Sequence, residues 1–279
     1  MERIKRPSYR VRAAIGVRDV AARASIEHRC LDHRTWALIV SQIEGIKHVY
    51  NFMNKFMSLG LEDIVRRDAV EALVNSAGLR GYEHRQVIVV DVGSGPGTSL
   101  KAIRRLLDKS FIVAVDPSTR LLSTACTGIL CERVAGVAEH LPVRNRGVDI
   151  VTSFYASRDF QSLPEALVSM LNVARRGLAI GDVFLPRQLL KRFLVRTWVC
   201  RIVPILALLL AKRYWRNYKG LCITLKQWCD VGELEEYIEQ LSEKLNRPAI
   251  VKSHSYVLGG LGYVTVFFKE EDTSRHNRS

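Results

Sequence analysis

The stretch QVIVVDVGSGPG, Gln86 to Gly97, runs from an unbroken β-branched apolar segment through Asp91 into glycines at positions 93, 95 and 97. A strand that is apolar at successive positions is buried on both faces, the habit of a parallel sheet covered by helices on each side. The glycines that follow permit a tight turn and leave bare backbone for a ligand to approach. Their spacing narrows the choice of ligand. A dinucleotide-binding turn reads Gly-x-Gly-x-x-Gly, and a phosphate loop needs Lys followed by Ser or Thr. This turn reads Asp-x-Gly-x-Gly-x-Gly and has neither feature, so pyrophosphate is not the expected guest. The next apolar run, Phe111 to Val115, ends at Asp116, where a carboxylate can accept both hydroxyls of a ribose. The competing reading of Asp116 is an acidic cap on the helix that begins at Pro117.

Outward from the turn the chain alternates. A helix is expected at about Thr98 to Leu107, then the strand ending at Asp116, a helix from Ser118 and a short strand near Arg133 to Ala135. Strand Val148 to Ser153, a helix opening at Pro164 and strand Gly177 to Val183 complete a doubly wound pattern. A helix from Glu233 to Leu245 precedes two closing strands, Ile250 to Tyr256 and Tyr263 to Lys269. Upstream, Thr35 to Gly60 reads as helix. The expected architecture is α/β, a mostly parallel seven-stranded Rossmann-like sheet with helices on both faces and a helical N-terminal segment. One domain, residues 35–269, is expected between a basic extension, 1–34, and a polar tail, 270–279.

The chain carries 42 Lys and Arg against 28 Asp and Glu, a formal charge of +14. Its placement matters more than its total. No acidic residue lies between Asp182 and Asp230, a span that holds Arg187, Lys191, Arg192, Arg196, Arg201, Lys212, Arg213, Arg216 and Lys219. Such a block favours an anionic partner, either nucleic acid or a membrane surface. The same span contains the most apolar segment, Phe193 to Ala211, but Arg196, Arg201 and Pro204 interrupt it, too often for a comfortable bilayer span. A buried core helix competes with a partly exposed helix that touches membrane or covers a greasy substrate, and the arginines favour the second. Cys30, Cys126, Cys131, Cys200, Cys222 and Cys229 show no Cys-x-x-Cys pair, so neither a zinc site nor a disulfide framework is expected and the compartment reads as reducing. The Arg-rich opening has some likeness to a transit peptide, against which Glu2, Asp19, Glu27 and Asp32 count. The expected location is cytoplasmic, with peripheral attachment at a membrane.

With these residues in hand, the chain resembles the class I methyltransferases, and more narrowly the C-methyltransferases of ubiquinone and menaquinone biosynthesis. YNFMNKFMSLGLEDIVRR, Tyr50 to Arg67, looks like that family's tyrosine-led helix. AEHLPV, GVDIVTSF and RDF are similar to its adenine-side loop, fourth strand and arginine motif. GDVFLP resembles its fifth strand, and VPILALLLAKRYWRNYKGL, within a 187–219 insertion or lid, resembles its helical insertion. LGGLGYVTVFFK resembles its closing strand. The resemblance implies an S-adenosylmethionine-dependent enzyme. Asp91, Gly93, Ser94, Gly95, Pro96 and Gly97 would hold the methionine end, Asp116 and Pro117 the ribose, and Val137, Ala138 and Glu139 the adenine, with Ser153 closing the pocket. Arg158 would position the substrate or its water, and Asp159 stands where the family usually has asparagine. Two departures stand near the acceptor: one extra residue between Ser153 and Arg158, and Ala174-Arg175-Arg176-Gly177 in place of a Pro-Gly-Gly turn.

A sulfonium methyl is already electrophilic, so alignment and exclusion of water are the main demands and no metal is called for. A quinol ring carbon becomes nucleophilic when the neighbouring hydroxyl loses its proton, which needs a base or a nearby cation. Arg158, Asp159 and Tyr50 are the expected acceptor-side residues, and a lipid quinol or another hydrophobic small molecule the expected acceptor. An RNA methyltransferase is the rival enzyme, disfavoured because the basic block is interleaved with aliphatics rather than aromatics. A non-catalytic scaffold on the same fold is the third reading.

Overall fold

The computed structural model describes residues 26–47, 50–79, 86–211, 215 and 217–269. Three helices, α1 (His33–Gly45), α2 (Tyr50–Met57) and α3 (Glu62–Ser76), lead into β1 (Ile88–Val92). The alternating half follows: α4 (Leu100–Leu106), β2 (Phe111–Asp116), α5 (Thr119–Leu122), β3 (Cys131–Ala135), β4 (Val148–Phe154), α6 (Leu163–Val173) and β5 (Ala174–Val183). Next come α7 (Leu189–Thr197), α8 (Val203–Ala211), α9 (Lys219–Lys226) and α10 (Val231–Lys244), and the chain closes on β6 (Ala249–Tyr256) and β7 (Leu261–Phe268). The seven strands lie in the order β3-β2-β1-β4-β5-β7-β6, with β7 antiparallel to both neighbours and the other pairings parallel. The expected fold class is therefore met.

The apolar run that decided the fold works by alternation. Val89 faces the same layer as Ile112, Ile150 and Ala179, packed under Leu73 of α3 and Ile103 of α4. Val90 and Val92 face the other layer with Val151, Leu178 and Ile180, against Leu167 of α6 and Ile238 of α10. β1 sits between β2 and β4 in register (Val89 opposite Ile112 and Ile150), so its C-terminal end opens where the crossovers diverge, the usual ligand crevice of such sheets.

The structure departs from the expectations in four places. The helix expected over Thr35 to Gly60 is divided: α1 ends at Gly45, and α2 is closed by a turn in which Leu59 and Gly60 take φ of 55° and 79°. α3 continues well past Arg67, and its stripe Val65, Ala69, Val70, Leu73 and Val74 is fully legible helical spacing. The end of the basic extension belongs to the domain, because Ile26 is in the core and Arg29 and Leu31 exchange backbone bonds with Leu163 and Gln161. Finally, Cys126 pairs with Cys131 and Cys200 with Cys222 as disulfides, overturning the expectation of none; the fold, not the spacing, brings the second pair together. The inference of a reducing compartment loses its basis with it.

Helical turns run without a break from Leu189 to Ala211, with a π-helical turn at Trp198–Ile202 between α7 and α8. Val195, Val203 and Ala207 face inward, while Leu189, Leu190, Phe193, Leu208 and Leu209 face outward, so this is not a buried core helix. No helix among the described residues is long and apolar enough to cross a membrane. Arg187 leaves the basic block: it lies 3.8 Å from Asp230, 3.5 Å from Glu233 and 3.2 Å from Glu236 at the start of α10. Lys212, Arg213 and Arg216 lie outside the described residues, as do the side chains of Tyr50 and Lys219.

Candidate active site

Asp91, at the exit of β1, is 1% exposed and braces the turn from beneath. Its two oxygens accept from Thr152 Oγ1 at 2.7 Å and Ser99 Oγ at 2.5 Å, joining β1 to β4 and to the start of α4. Burial pushes its carboxyl pKa up. Sequence reasoning placed Asp91 against the methionine end; in the structure its oxygens are engaged inside the protein. The N–H groups of Gly93 and Ser94 both donate to the carbonyl of Val115, stitching the turn to the end of β2. Gly97 is required by packing, since a Cβ there would lie 2.1 Å from the carbonyl oxygen of Ala125 at a φ of 83°. Gly95, at φ 53°, differs: nothing stands within 4 Å of an added Cβ, so its backbone faces open space.

Asp116 closes β2 beside that space. Its oxygens accept from Gly95 N and Ser118 N, each at 2.8 Å, and each keeps a second lone pair. Burial raises its pKa to about 6, against the two backbone donors. The cap reading is met only in part, because Ser118 is the residue that caps α5, through Leu121 N at 3.1 Å. Pro117 is exposed in the same turn. After β3, Val137 leads into a 3-10 turn at Ala138–His140 in which Ala138 is buried, while Glu139 accepts from Ser162 N at 2.9 Å and so anchors the turn to α6. Ser153, inside β4, is fully buried, and its hydroxyl has no hydrogen-bond partner among the described residues. An open glycine beside a carboxylate with two spare acceptor sites forms a cradle that fits a nucleoside with a charged tail.

The chain leaving β4 forms a wall with two sides. A Cβ on Gly93 would lie 2.3 Å from Ala156 Cβ, so Ala156 abuts the glycine turn. Its neighbours Tyr155, Arg158 and Asp159 line a cavity of about 380 Å³. Tyr155 holds a φ of 60°, a strained value for a bulky residue, and the guanidinium of Arg66 lies 4.9 Å from its ring centre. In the 3-10 turn Ser157–Asp159, Ser157 Oγ and Arg158 N donate to Asp182 Oδ2 at 2.6 and 3.2 Å, and the Arg158 guanidinium pairs with Asp182 Oδ1. Arg158 Nη2 stands 3.8 Å from Asp159 Oδ2. Asp159 is 11% exposed, its Oδ1 finds no hydrogen-bond partner among the described residues, and burial raises its pKa. Behind this, Arg29 donates to the carbonyl of Arg158 and lies 3.9 Å over the ring of Trp228; burial lowers its pKa to about 10.

The rest of the cavity is overwhelmingly apolar, with walls from α1, α2, the Leu189–Ala211 helix, α9 and the turn before β7. Its charged lining groups among the described residues are Glu62, Arg158 and Asp159, and Glu62 accepts from Ser58 Oγ. The structure thus gathers Gly93, Gly95 and Asp116 on one side of the wall and Arg158 and Asp159 on the other, with Ser153 enclosed within β4. Sequence reasoning missed Asp182, Glu62, Tyr155 and Arg29. Asp182 carried a usable signal, an acid ending an apolar strand, the same sign that marked Asp91 and Asp116.

The ubiE/COQ5 methyltransferase family matches residues 34–246. A demethylmenaquinone methyltransferase of Mycolicibacterium vanbaalenii is 25% identical over 203 residues, covering 72% of this chain and 84% of the relative. One from Thermotoga maritima is 25% identical over 166 residues, covering 56% and 68%. Among solved structures, the plantazolicin methyltransferase BamL in complex with a triazolic desmethylPZN analog and SAH is similar in fold, with a TM-score of 0.55 at 11% identity over 91% of this chain and 99% of that one. The plantazolicin methyltransferase BpumL in complex with SAH gives 0.54 at 12% over 85% and 98%. A match across three quarters of the chain, on the fold and cradle described above, makes this chain a member of the ubiE/COQ5 methyltransferase family, an S-adenosylmethionine-dependent methyltransferase.

Proposed function

We propose that the acceptor is a ring carbon of a lipid-soluble quinol of the demethylmenaquinol type. The observation that carries this reading is an apolar cavity whose cation and base, Arg158 and Asp159, adjoin the glycine turn through Ala156. A polyprenyl quinol has the matching chemistry, a flat hydroxylated ring on a long hydrocarbon tail. The names of the relatives point the same way.

S-adenosylmethionine supplies an electrophilic methyl group, and the protein's residues prepare the carbon that takes it. Asp159, whose carboxylate is made a stronger base by burial, accepts the hydroxyl proton through its unpartnered Oδ1, and returns it to the ring oxygen once the methylated carbon has shed its own hydrogen as a proton. Arg158, held by Asp182, places positive charge beside the phenolate that results. The apolar walls exclude water from both. The test is to supply methyl-labelled S-adenosylmethionine to the purified protein with total lipid and total RNA extracts in parallel. Label is expected in a quinone of the lipid fraction; label confined to RNA would overturn the reading.

A further inference from the structure

We propose that the rim of the cavity is a membrane-docking surface that seats on an anionic bilayer and admits the acceptor sideways from the leaflet. The loading step rests on the lipid-acceptor reading above, whereas the docking surface stands on its own observations.

The first observation is that two turns at the mouth of the cavity carry exposed leucines, the one at Leu59 closing α2 through Gly60 N on the carbonyl of Lys55. Leu59 and Leu258 take φ of 55° and 57°, a region that ordinary side chains avoid, and they are 65% and 46% exposed. Both leucines line the cavity, and so do Leu194 and Ile202, which are exposed as well. The cavity therefore opens through a ring of apolar side chains that face solvent.

The second observation is that the ring is built as a unit. Trp198 Nε1 donates to the carbonyl of Met57 at 2.9 Å, tying the π-helical turn to the end of α2 just ahead of Leu59. A Cβ on Gly260 would lie 2.8 Å from Val195 Cγ2, showing how closely the Leu258 turn abuts α7.

The third is charge. Arg192, Arg196 and Arg201 are exposed on the helix that carries Phe193 and Leu194, and among the described residues they have no acidic partner. Arg187, the cation that does have partners, lies beyond this helix. Aliphatic tips among unpaired arginines match acyl chains beneath anionic headgroups. Other occupants fit less well. A two-fold contact with a second copy would set these arginines against their own counterparts. The chain ahead of Ile26 is itself basic, with Arg3, Lys5, Arg6, Arg10, Arg12, Arg18 and Arg23 against Glu2 and Asp19.

The test is co-sedimentation of the full chain with vesicles of phosphatidylcholine alone and of phosphatidylcholine containing phosphatidylglycerol. Wild type is expected to prefer the anionic vesicles by about tenfold or more and to lose the preference in high salt. Leu59→Ser with Leu258→Ser should weaken binding by about tenfold. Arg192→Gln with Arg196→Gln should weaken it by about fivefold per charge. S-adenosylhomocysteine calorimetry checks that each variant is folded. The arginine variant should methylate a detergent-dispersed short-chain quinol as wild type does, yet lose activity on quinol embedded in vesicles. Folded wild type that ignores anionic vesicles, or variants that bind as wild type does, would overturn the proposal, as would self-association abolished by the leucine changes. Vesicle binding without methylation of any quinol would instead overturn the acceptor assignment and leave the docking surface standing.

Discussion

The two sides of the wall at Ser153–Asp159 are made by different means. The cofactor side is built from backbone: three glycines, two strand ends and one carboxylate, nearly all supplied by the contiguous β1–β2 segment. The cavity side is built from side chains of segments far apart in the sequence, from Ile43 to Leu261. A backbone site has little room for change where an added Cβ meets main-chain atoms, as at Gly97 against the carbonyl of Ala125. A side-chain site can be altered one residue at a time, so its chemistry can be probed without loss of the cofactor.

The largest effect is expected where the backbone is most crowded. Gly97→Ala should abolish S-adenosylhomocysteine binding, or folding itself, because its Cβ would overlap the carbonyl of Ala125. Gly95→Ala, in open space, should fold, lose about 1–2 kcal/mol of stability to its left-handed backbone, and still weaken the cofactor by blocking its approach. Thermal melts with calorimetry separate the two; equal behaviour would break the distinction drawn between these glycines.

Next comes Asp159→Asn on the cavity side, expected to lower kcat by about a hundredfold while leaving S-adenosylhomocysteine affinity unchanged. Since the base must be ionised and burial holds its pKa high, wild-type kcat should rise with pH along a limb that the variant lacks.

Asp116→Asn should weaken S-adenosylhomocysteine by about tenfold, the scale of one charge-assisted hydrogen bond. Wild-type affinity should fall as the pH drops through about 6, where Asp116 takes up a proton, and the variant should be flat there. The sign for stability is opposite. A carboxyl with a raised folded pKa stabilises below the ordinary carboxylate range, and that contribution is lost as the pH rises through about 6.

Tyr155→Phe should have the smallest effect. Its buried hydroxyl has no partner among the described residues, so removal should leave the melting temperature level or slightly higher. A several-fold rise in the quinol KM would place the hydroxyl at the acceptor.

The same contrast explains what could be read from sequence. β1, the turn and Asp116 are local, and β-branched runs with glycine punctuation reported them well. Asp91 was located correctly but its direction was not, because that depends on Thr152 and Ser99 meeting it across the sheet. The cavity was harder. Arg158 and Asp159 came through the family resemblance; Asp182 carried a strand-end signal, but its hold on Ser157 and Arg158, and Arg29 behind them, are visible only once β5, α9 and the N-terminal segment have packed. The charge block between Asp182 and Asp230 likewise changed meaning on folding, when Arg187 met the acids of α10.

The most direct test of the joined site is to fill the cavity and leave the cradle alone. Val199 lines the cavity from the π-helical turn, and Val199→Trp should occupy the acceptor's space. Methyl transfer from labelled S-adenosylmethionine to a demethylmenaquinol, measured beside S-adenosylhomocysteine calorimetry, should then fall below detection with cofactor affinity unchanged. Transfer at the wild-type rate through a filled cavity would contradict the account.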